Sequence, residues 1–139
     1  MSQKINTNKF LKNVRIGLWR IEVEEGKLPR FYADEVMDEL LGITEEITPE
    51  ERFAFHRRCV HPDDMEMFLE YSDKLTETQT EIVYRYIHPI SGEMFVRCAG
   101  IRDNSVTSGI SIIGTHQDIS ETIRVEKRKG SRAPPCRIK

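Results

Sequence analysis

The chain has 139 residues, which suits one domain with a hydrophobic core of its own. Its 21 Lys and Arg nearly balance its 23 Asp and Glu, so the total charge gives no general reason to expect nucleic acid or a membrane surface as a partner. No stretch approaches the roughly 20 apolar residues of a membrane span, and the N-terminus lacks the apolar segment of a signal peptide. Cys59, Cys98 and Cys136 form no C-x-x-C pair, which argues against a zinc knuckle or a disulfide framework and favours a soluble, cytoplasmic protein.

The N-terminal part predicts a short helix followed by a β-hairpin. Residues 2–13 place a few apolar side chains among polar ones, a weak amphipathic pattern typical of a helix that lies on the domain or on a partner. Residues 17–23 alternate around Trp19, as a half-buried strand requires. A Glu-Gly turn then lets residues 28–32 return as a second strand.

Capping sequences predict three helices in the middle of the chain. Apolar residues at helical spacing over residues 34–41 end at Gly42, a common C-terminal signal. The sequence TPEE at residues 48–51 supplies an N-cap, a proline in the first turn and a reciprocal glutamate for the next helix. The sequence VHPDD at residues 60–64 starts the third helix, predicted over residues 62–74, and places two aspartates near the positive end of its dipole.

The second half of the chain predicts a three-stranded meander and an exit helix. The three strands are rich in β-formers and span residues 81–88, 93–101 and 109–119. Residues 120–129 are predicted to leave the sheet as a helix, and a breaker-rich tail follows. From Arg124 onward there are seven basic residues and one acidic residue, a net charge of +6. The order of elements predicts an α+β fold, in which short helices pack on one face of a five-stranded antiparallel sheet.

Five short sequences occur in an order that carries a family resemblance. They are GLW at residues 17–19, LLG at 40–42, VHPDD at 60–64, YRY at 84–86 and GTHQDISE at 114–121. In this order the chain resembles the PAS sensory domain, in the bacterial form that ends in a PAC stretch. One departure is visible, because Phe95 stands near the place of a family tryptophan with a one-residue slip.

The resemblance implies a sheet that cups short helices, often around a small-molecule cavity, and an exit helix that carries the signal. It divides the chain into an N-terminal helical extension (residues 1–14), the PAS domain (15–121), and the start of the exit helix with a basic, disordered tail (122–139). Such domains usually precede a histidine kinase or diguanylate cyclase output domain, whose catalytic motifs are absent from this sequence. The chain is therefore expected to be a sensory and dimerisation module, a homodimer excised from a longer bacterial protein.

Four side chains are candidates for binding a ligand, namely Trp19, Tyr84, Tyr86 and His116. His116 corresponds to a glutamine that faces the cofactor in the flavin-binding branch of the family. If it faces inward together with Gly114, it places a polar group in an otherwise apolar cup, which suits the orientation of a ligand. Packing in a filled core is the alternative for all four, because buried aromatic and polar side chains normally find partners within a core.

Neither flavin nor haem is expected as a cofactor. The reactive-cysteine sequence of the flavin-binding branch, Asn-Cys-Arg-Phe, is absent, and Cys59 lies outside that region. A haem ligand could in principle come from His56, His61 or His116, but no haem-specific sequence accompanies any of them. The identity of a ligand is left open by the sequence.

A small acid/base enzyme is the alternative class of protein, because His61 lies beside Asp63 and Asp64. Helix capping accounts for both aspartates without chemistry, and neither a nucleophile with a partner nor a metal site is expected. The basic tail lacks interleaved aromatic residues, which argues against nucleic acid as a partner. A non-catalytic sensory module is therefore the prediction, and a ligand-free protein-interaction domain is the third possibility.

Signal transmission is assigned to the junction between the last strand and the exit helix, at Asp118, Ile119, Glu121 and Ile123. Asp118 is expected to tie the end of the strand to the start of the helix. A helix this short is marginal in water, so it needs a docking surface. That surface is either the sheet of its own domain or the same helix of a second copy, where Ile123 would be buried in a symmetric pair.

Overall fold

The fold is seen in a computed structural model that describes residues 6–75, 77–78 and 80–132. Its helices are α1 (Thr7–Asn13), α2 (Glu35–Leu41), α3 (Pro49–Cys59), α4 (Met65–Leu75) and α5 (Ser120–Arg132), with a 3-10 helix (Pro62–Asp64) before α4. Its strands are β1 (Ile16–Val23), β2 (Arg30–Ala33), β3 (Thr80–His88), β4 (Gly92–Arg102) and β5 (Ile110–Asp118). The strands pair antiparallel in the order β2-β1-β5-β4-β3. The predicted α+β architecture with a five-stranded sheet is confirmed.

Local capping chemistry sets the boundaries of α2 and α3. The Asp34 side chain accepts a hydrogen bond from the Met37 N–H at the start of α2. Gly42 ends that helix with a φ of 83°, a conformation that costs glycine little. Thr48 and Glu51 form the predicted capping box of α3, in which each side chain accepts the other residue's backbone N–H. These boundaries agree closely with the prediction because the capping partners lie only three residues apart.

Three predicted helix boundaries differ from the structure. The helix predicted over residues 62–74 is a 3-10 turn followed by α4, and His61 caps the turn by accepting the Asp63 N–H at its Nδ1. The N-terminal helix begins at Thr7, and the predicted residues before position 6 lie outside the described residues. The exit helix continues to Arg132, and the tail beyond it also lies outside them. No helix in the described part of the chain has both the length and the apolar character needed to cross a membrane.

The helices α2, α3 and α4 cover one face of the sheet, which we call the inner face. Trp19 pairs with Gly114, and Cys98 pairs with His116, so these four residues share that face. The core between the inner face and the helices is mainly aliphatic and aromatic, with Phe31, Met37, Leu40, Leu41, Phe68, Tyr71, Tyr84, Tyr86 and Val96 among its buried members. His116 and Gly114 therefore face inward, which is the condition set above for a role of His116 in ligand binding.

The outer face of the sheet is open to solvent and partly apolar. Phe95, near the place of the family's tryptophan, is half buried on this face, while Met94 on the inner face is buried. Leu18, Ile101 and Ile113 on the three central strands are each more than 40% exposed, and they border an open groove of about 480 Å³. Trp19 and Gly114 of the inner face also border this groove.

Candidate ligand site in the core

Three polar side chains form a hydrogen-bonded chain through the core. Tyr84 projects from β3, His116 from β5 and His56 from α3, and all three are buried. The Tyr84 hydroxyl oxygen lies 2.7 Å from His56 Nε2 and 2.6 Å from His116 Nε2. Because a tyrosine hydroxyl has one hydrogen, it donates to one imidazole and accepts from the other. The two neutral histidines therefore carry their protons on different ring nitrogens.

Burial keeps this network uncharged at neutral pH. It lowers the pKa of His116 from 6.5 to about 3. It also lowers the pKa of His56, and the nearby His116 and Arg57 add to that effect. The pKa of Tyr84 is raised by burial, so its hydroxyl stays protonated. The network is thus held together by neutral hydrogen bonds whose direction can reverse without any change in total charge.

Trp19 lies beside the network on the inner face. Its indole ring is 5.9 Å from the His116 ring in an edge-on arrangement. The indole passes over Gly100 and Gly114, and a Cβ atom added at Gly114 would clash with this ring and with the Ala99 carbonyl oxygen. Glycine at these two positions therefore provides the space that the indole occupies.

A cavity of about 20 Å³ lies between the inner face and helices α3 and α4. Three of its lining residues carry a buried polar atom that has no hydrogen-bond partner among the described residues, namely Trp19 Nε1, Arg57 Nε and His116 Nδ1. A cavity of this volume holds about one water molecule. The core therefore combines a small space with unused hydrogen-bonding capacity on three of the residues that line it.

Arg57 forms the helix side of the cavity. Its guanidinium carbon lies 4.5 Å from the centre of the Phe53 ring and 5.2 Å from that of the Phe68 ring, distances at which an aromatic face attracts a cation. Burial lowers the pKa of Arg57, but an arginine remains protonated in a protein at neutral pH. The cavity is therefore bordered by a positive charge that two aromatic rings hold in place.

The structure brings part of the predicted ligand-binding set together. Trp19 and His116 line the cavity, and Tyr84 bonds to His116 beside it. Tyr86 lies apart from the cavity lining, because its hydroxyl donates to the Leu41 carbonyl oxygen at 2.7 Å. In the structure Tyr86 thus joins β3 to the end of α2.

Two residues of the candidate site are not predicted as ligand contacts from the sequence. Arg57 carries no signal of its own there, and His56 stands out only as a potential metal or haem ligand. The spacing of three residues from Phe53 to His56 on α3 is the available signal, since it places both on one side of the helix. How that side meets the sheet depends on the rotation of the helix, which the sequence does not show.

The residues of the alternative acid/base site are engaged in structural contacts. Asp64 accepts hydrogen bonds from the Arg85 backbone N–H at 2.8 Å and from its guanidinium at 2.7 and 3.0 Å. These bonds lower the pKa of the Asp64 carboxyl. His61 Nδ1 accepts the Asp63 N–H, while the Asp63 side chain is exposed. Asp64 therefore fixes the helix start to β3, a role beyond the dipole interaction that was predicted.

Among the described residues, no group of three His, Cys, Asp or Glu side chains is arranged to hold a metal ion.

The end of β5 is tied to the start of α5 by short hydrogen bonds. The Ile119 N–H donates to the Phe95 carbonyl at 2.9 Å, and the Phe95 N–H donates to the Ser120 hydroxyl at 3.0 Å. Asp118 Oδ1 accepts the Ser120 N–H at 2.9 Å, and Oδ2 lies 3.8 Å from the Arg15 guanidinium. Asp118 therefore contacts both the helix start and the connection between α1 and β1.

The other residues predicted to take part in signal transmission occupy different environments around this junction. Ile119 is buried, and Ile123 on α5 is half buried. Glu121 is exposed and accepts a hydrogen bond from Arg124 at 2.6 Å within the helix. Its contacts thus lie within α5, whereas Asp118 and Ile119 contact other elements.

Comparisons with known proteins agree with this architecture. The sequence profile of the PAS fold matches residues 30–116, more than half of the chain. A search among curated proteins found no match. One similar solved structure is a sensory box histidine kinase/response regulator from Burkholderia thailandensis, with 18% identity, coverage of 93% of this chain and 100% of that one, and a TM-score of 0.62. A second is the N-terminal domain of a diguanylate cyclase with PAS/PAC sensor from Marinobacter aquaeolei, with 24% identity, coverage of 77% and 97%, and a TM-score of 0.58. A third is the LOV protein of Rhodobacter sphaeroides, with 11% identity, coverage of 83% and 69%, and a TM-score of 0.58.

A five-stranded antiparallel sheet with helices over one face and a cavity between them defines a sensor-type α+β fold. Because the sequence profile of the PAS fold matches more than half of the chain, the chain belongs to the PAS family. The same fold occurs in signalling proteins of the histidine kinase and diguanylate cyclase types. PAS domains are generally sensory rather than catalytic modules.

Proposed function

We propose that this chain is the sensory module of a cytoplasmic bacterial signalling protein. It binds a small molecule in the core, between the inner face of the sheet and helices α3 and α4. The bound state is passed through α5 to a C-terminal output domain of the histidine kinase or diguanylate cyclase type. The chain itself carries out no catalysis in this proposal.

The observation that carries the proposal is the cavity with its three unpartnered polar atoms. A buried donor or acceptor without a partner costs about 1–3 kcal/mol, so folded cores normally contain few of them. Trp19, Arg57 and His116, which carry these atoms, all line one cavity beside a hydrogen-bonded chain. A ligand that satisfies these atoms would recover much of that cost, and this recovery supplies the free energy for a conformational change.

The proposal also includes a homodimer that uses α5. This helix has 13 residues, and its apolar side chains Ile123 and Val125 are both half buried but, being two residues apart, lie on different sides of the helix. Helices of this length depend on contacts outside themselves for stability. A second copy of α5 can supply those contacts in a symmetric pair, which would make the angle between the two helices the transmitted quantity.

A ligand-free protein-interaction domain is the second candidate function. It is favoured by the small volume of the core cavity, about 20 Å³, and by the larger groove on the outer face of the sheet. In that case the polar atoms of the core would be satisfied by water, and the outer face would carry the biological contact.

Native mass spectrometry of gently purified protein, combined with a thermal-shift screen of small metabolites, tests the proposal. We expect either a retained small molecule or a saturable rise in melting temperature with at least one compound class. A bare mass together with no thermal shift across the screen would overturn ligand sensing in favour of the interaction domain.

A further inference from the structure

We infer that the core site is specific for a small carboxylate, bound by Arg57, Trp19 and His116. This inference rests on the proposed sensory function and assigns the chemical class of its ligand. Three properties of the site point to that class: the atoms that lack a partner, the charge around the cavity, and the direction of the hydrogen bonds beside it.

The unpartnered atoms of the site require acceptors from a ligand. The indole Nε1–H of Trp19 and the Nε–H of Arg57 are donors only, and neither has a partner in the part of the chain that the structure describes. Trp19 is 5% exposed, so bulk water does not reach its N–H freely. A carboxylate offers two oxygens with about four acceptor positions and no donor, which matches this set.

The charge around the cavity also favours an anion. None of the 11 lining residues is Asp or Glu, whereas Arg57 contributes a guanidinium group. Asp73, whose charge acts on Arg57, is exposed on α4 and is not part of the lining. Hydrogen bonds between an ionised donor and a carboxylate are roughly twice as strong as neutral ones, which offsets part of the cost of burying the anion.

The hydrogen bonds from His116 through Tyr84 to His56 can change direction when a ligand places an acceptor at His116. If a carboxylate oxygen occupies the position facing Nδ1, His116 must carry its proton on Nδ1. Its Nε2 then accepts from the Tyr84 hydroxyl, and the Tyr84 oxygen accepts from the Nε2–H of His56. A ligand bound at His116 thus selects a single direction for both hydrogen bonds. Because His116 lies on β5, Tyr84 on β3 and His56 on α3, this effect reaches from the sheet to a helix.

The space available means that binding must move α4. A cavity of about 20 Å³ suits one water molecule, and even formate has three heavy atoms. Phe68, Tyr71 and Leu75 of α4 form one wall of the cavity. Tyr71 anchors that wall through hydrogen bonds of its hydroxyl to the carbonyl oxygens of Thr80 and Cys98, both at 3.2 Å. A small outward shift of α4 admits the ligand.

The fluorescence of Trp19 tests the inference, because it is the single tryptophan of the chain. The protein is titrated with sodium formate and sodium acetate at constant ionic strength, with sodium chloride and neutral acetamide as reference solutes. We expect a saturable change with the carboxylates and none with the reference solutes. Arg57→Met should weaken the response at least about tenfold, the equivalent of one charged hydrogen bond. Arg58→Met is the matched control, since Arg58 is exposed on the same helix, and it should respond like the wild type.

Several outcomes would overturn the inference. These are no saturable response to either carboxylate, an equal response to chloride or acetamide, or an unchanged response in Arg57→Met. If Arg57→Met does not fold, Arg57→Gln removes the charge while keeping a polar side chain, and an unchanged affinity in that variant is equally decisive. A neutral compound that shifts the melting temperature without any dependence on Arg57 would overturn the carboxylate class alone and leave ligand sensing intact.

Discussion

His56 and His116 are titratable groups that the fold holds away from water. Both are less than 5% exposed, and they are bridged by one hydroxyl group. In the unfolded chain each histidine can take up a proton near pH 6.5, whereas in the folded chain burial lowers both pKa values. The unfolded state therefore binds more protons than the folded state below neutral pH, and folding becomes coupled to pH.

This coupling predicts that the domain loses stability in mild acid. The free energy of unfolding should be highest above about pH 6.5 and fall as the pH decreases toward 3, the folded-state pKa of His116. Each histidine that titrates only in the unfolded state contributes a slope of up to about 1.4 kcal/mol per pH unit. Urea unfolding at pH 7.5, 6 and 5 measures the slope, and His116→Gln should make it smaller.

Tyr84→Phe is the control for that prediction. It removes the bridging hydroxyl and is expected to cost about 1–3 kcal/mol at pH 7.5, because it leaves two buried imidazoles without their partner. Both imidazoles stay buried, so the slope with pH should persist. A constant difference between wild type and His116→Gln at all three pH values would show that burial of His116 is not a source of the slope.

At the scale of the elements, local chemistry was readable from the sequence and long-range contacts were not. The end of α2 and the capping box of α3 were predicted because Gly42, Thr48 and Glu51 act within three or four residues of their own helix. Asp64 looked like another helix-start charge, but its main partner, Arg85, lies 21 residues away on β3. A contact of that kind depends on how the helix crosses the sheet, which no short-range pattern encodes.

The two aspartates of the VHPDD sequence should therefore differ in their effect on stability. Asp64→Ala removes three hydrogen bonds to Arg85 and is expected to cost about 2 kcal/mol, since its partner is a charged group. Asp63→Ala should cost less than about 0.5 kcal/mol, because its side chain is exposed and acts mainly through the helix dipole. Chemical denaturation of the two single variants separates these effects, and equal costs would contradict the tie between Asp64 and β3.

At the scale of the whole molecule, the candidate site was only half predictable. Alternation along single strands predicted which neighbours share a face, such as Tyr84 and Tyr86, because side chains on a strand alternate with period two. The pairing of the strands then brings Trp19, Tyr84 and His116 to the same face. The helix contribution, His56 and Arg57, required the rotation of α3 over the sheet. The fold also joins the two ends of the domain, since Asp118 contacts Ser120 of α5 and Arg15 before β1.

We expect a signal to leave the domain through the contacts that Asp118 makes at the junction between β5 and α5. Asp118→Ala removes the acceptor of the Ser120 N–H and the partner of Arg15, so we expect the first turn of α5 to exchange its amide hydrogens faster. The domain should stay folded, with a loss of about 1 kcal/mol, which is typical of a helix-start side chain. Hydrogen exchange measured by mass spectrometry detects the change, and output activity in the parent protein should be lost. Glu121→Gln is the control, because the contacts of Glu121 lie within the exposed side of α5.

The same helix should control association of two copies. Ile123→Asp places a charge on the half-buried side of α5, and burying an unpaired charge between two helices is unfavourable. We expect the wild type to dimerise with increasing concentration in sedimentation velocity, and the variant to require a concentration at least about tenfold higher. Thr122→Asp adds the same charge at an exposed neighbouring position, so it should sediment like the wild type. If all three proteins sediment alike while Asp118→Ala retains its output, then α5 is a passive connection, and any signal must leave through the outer face of the sheet.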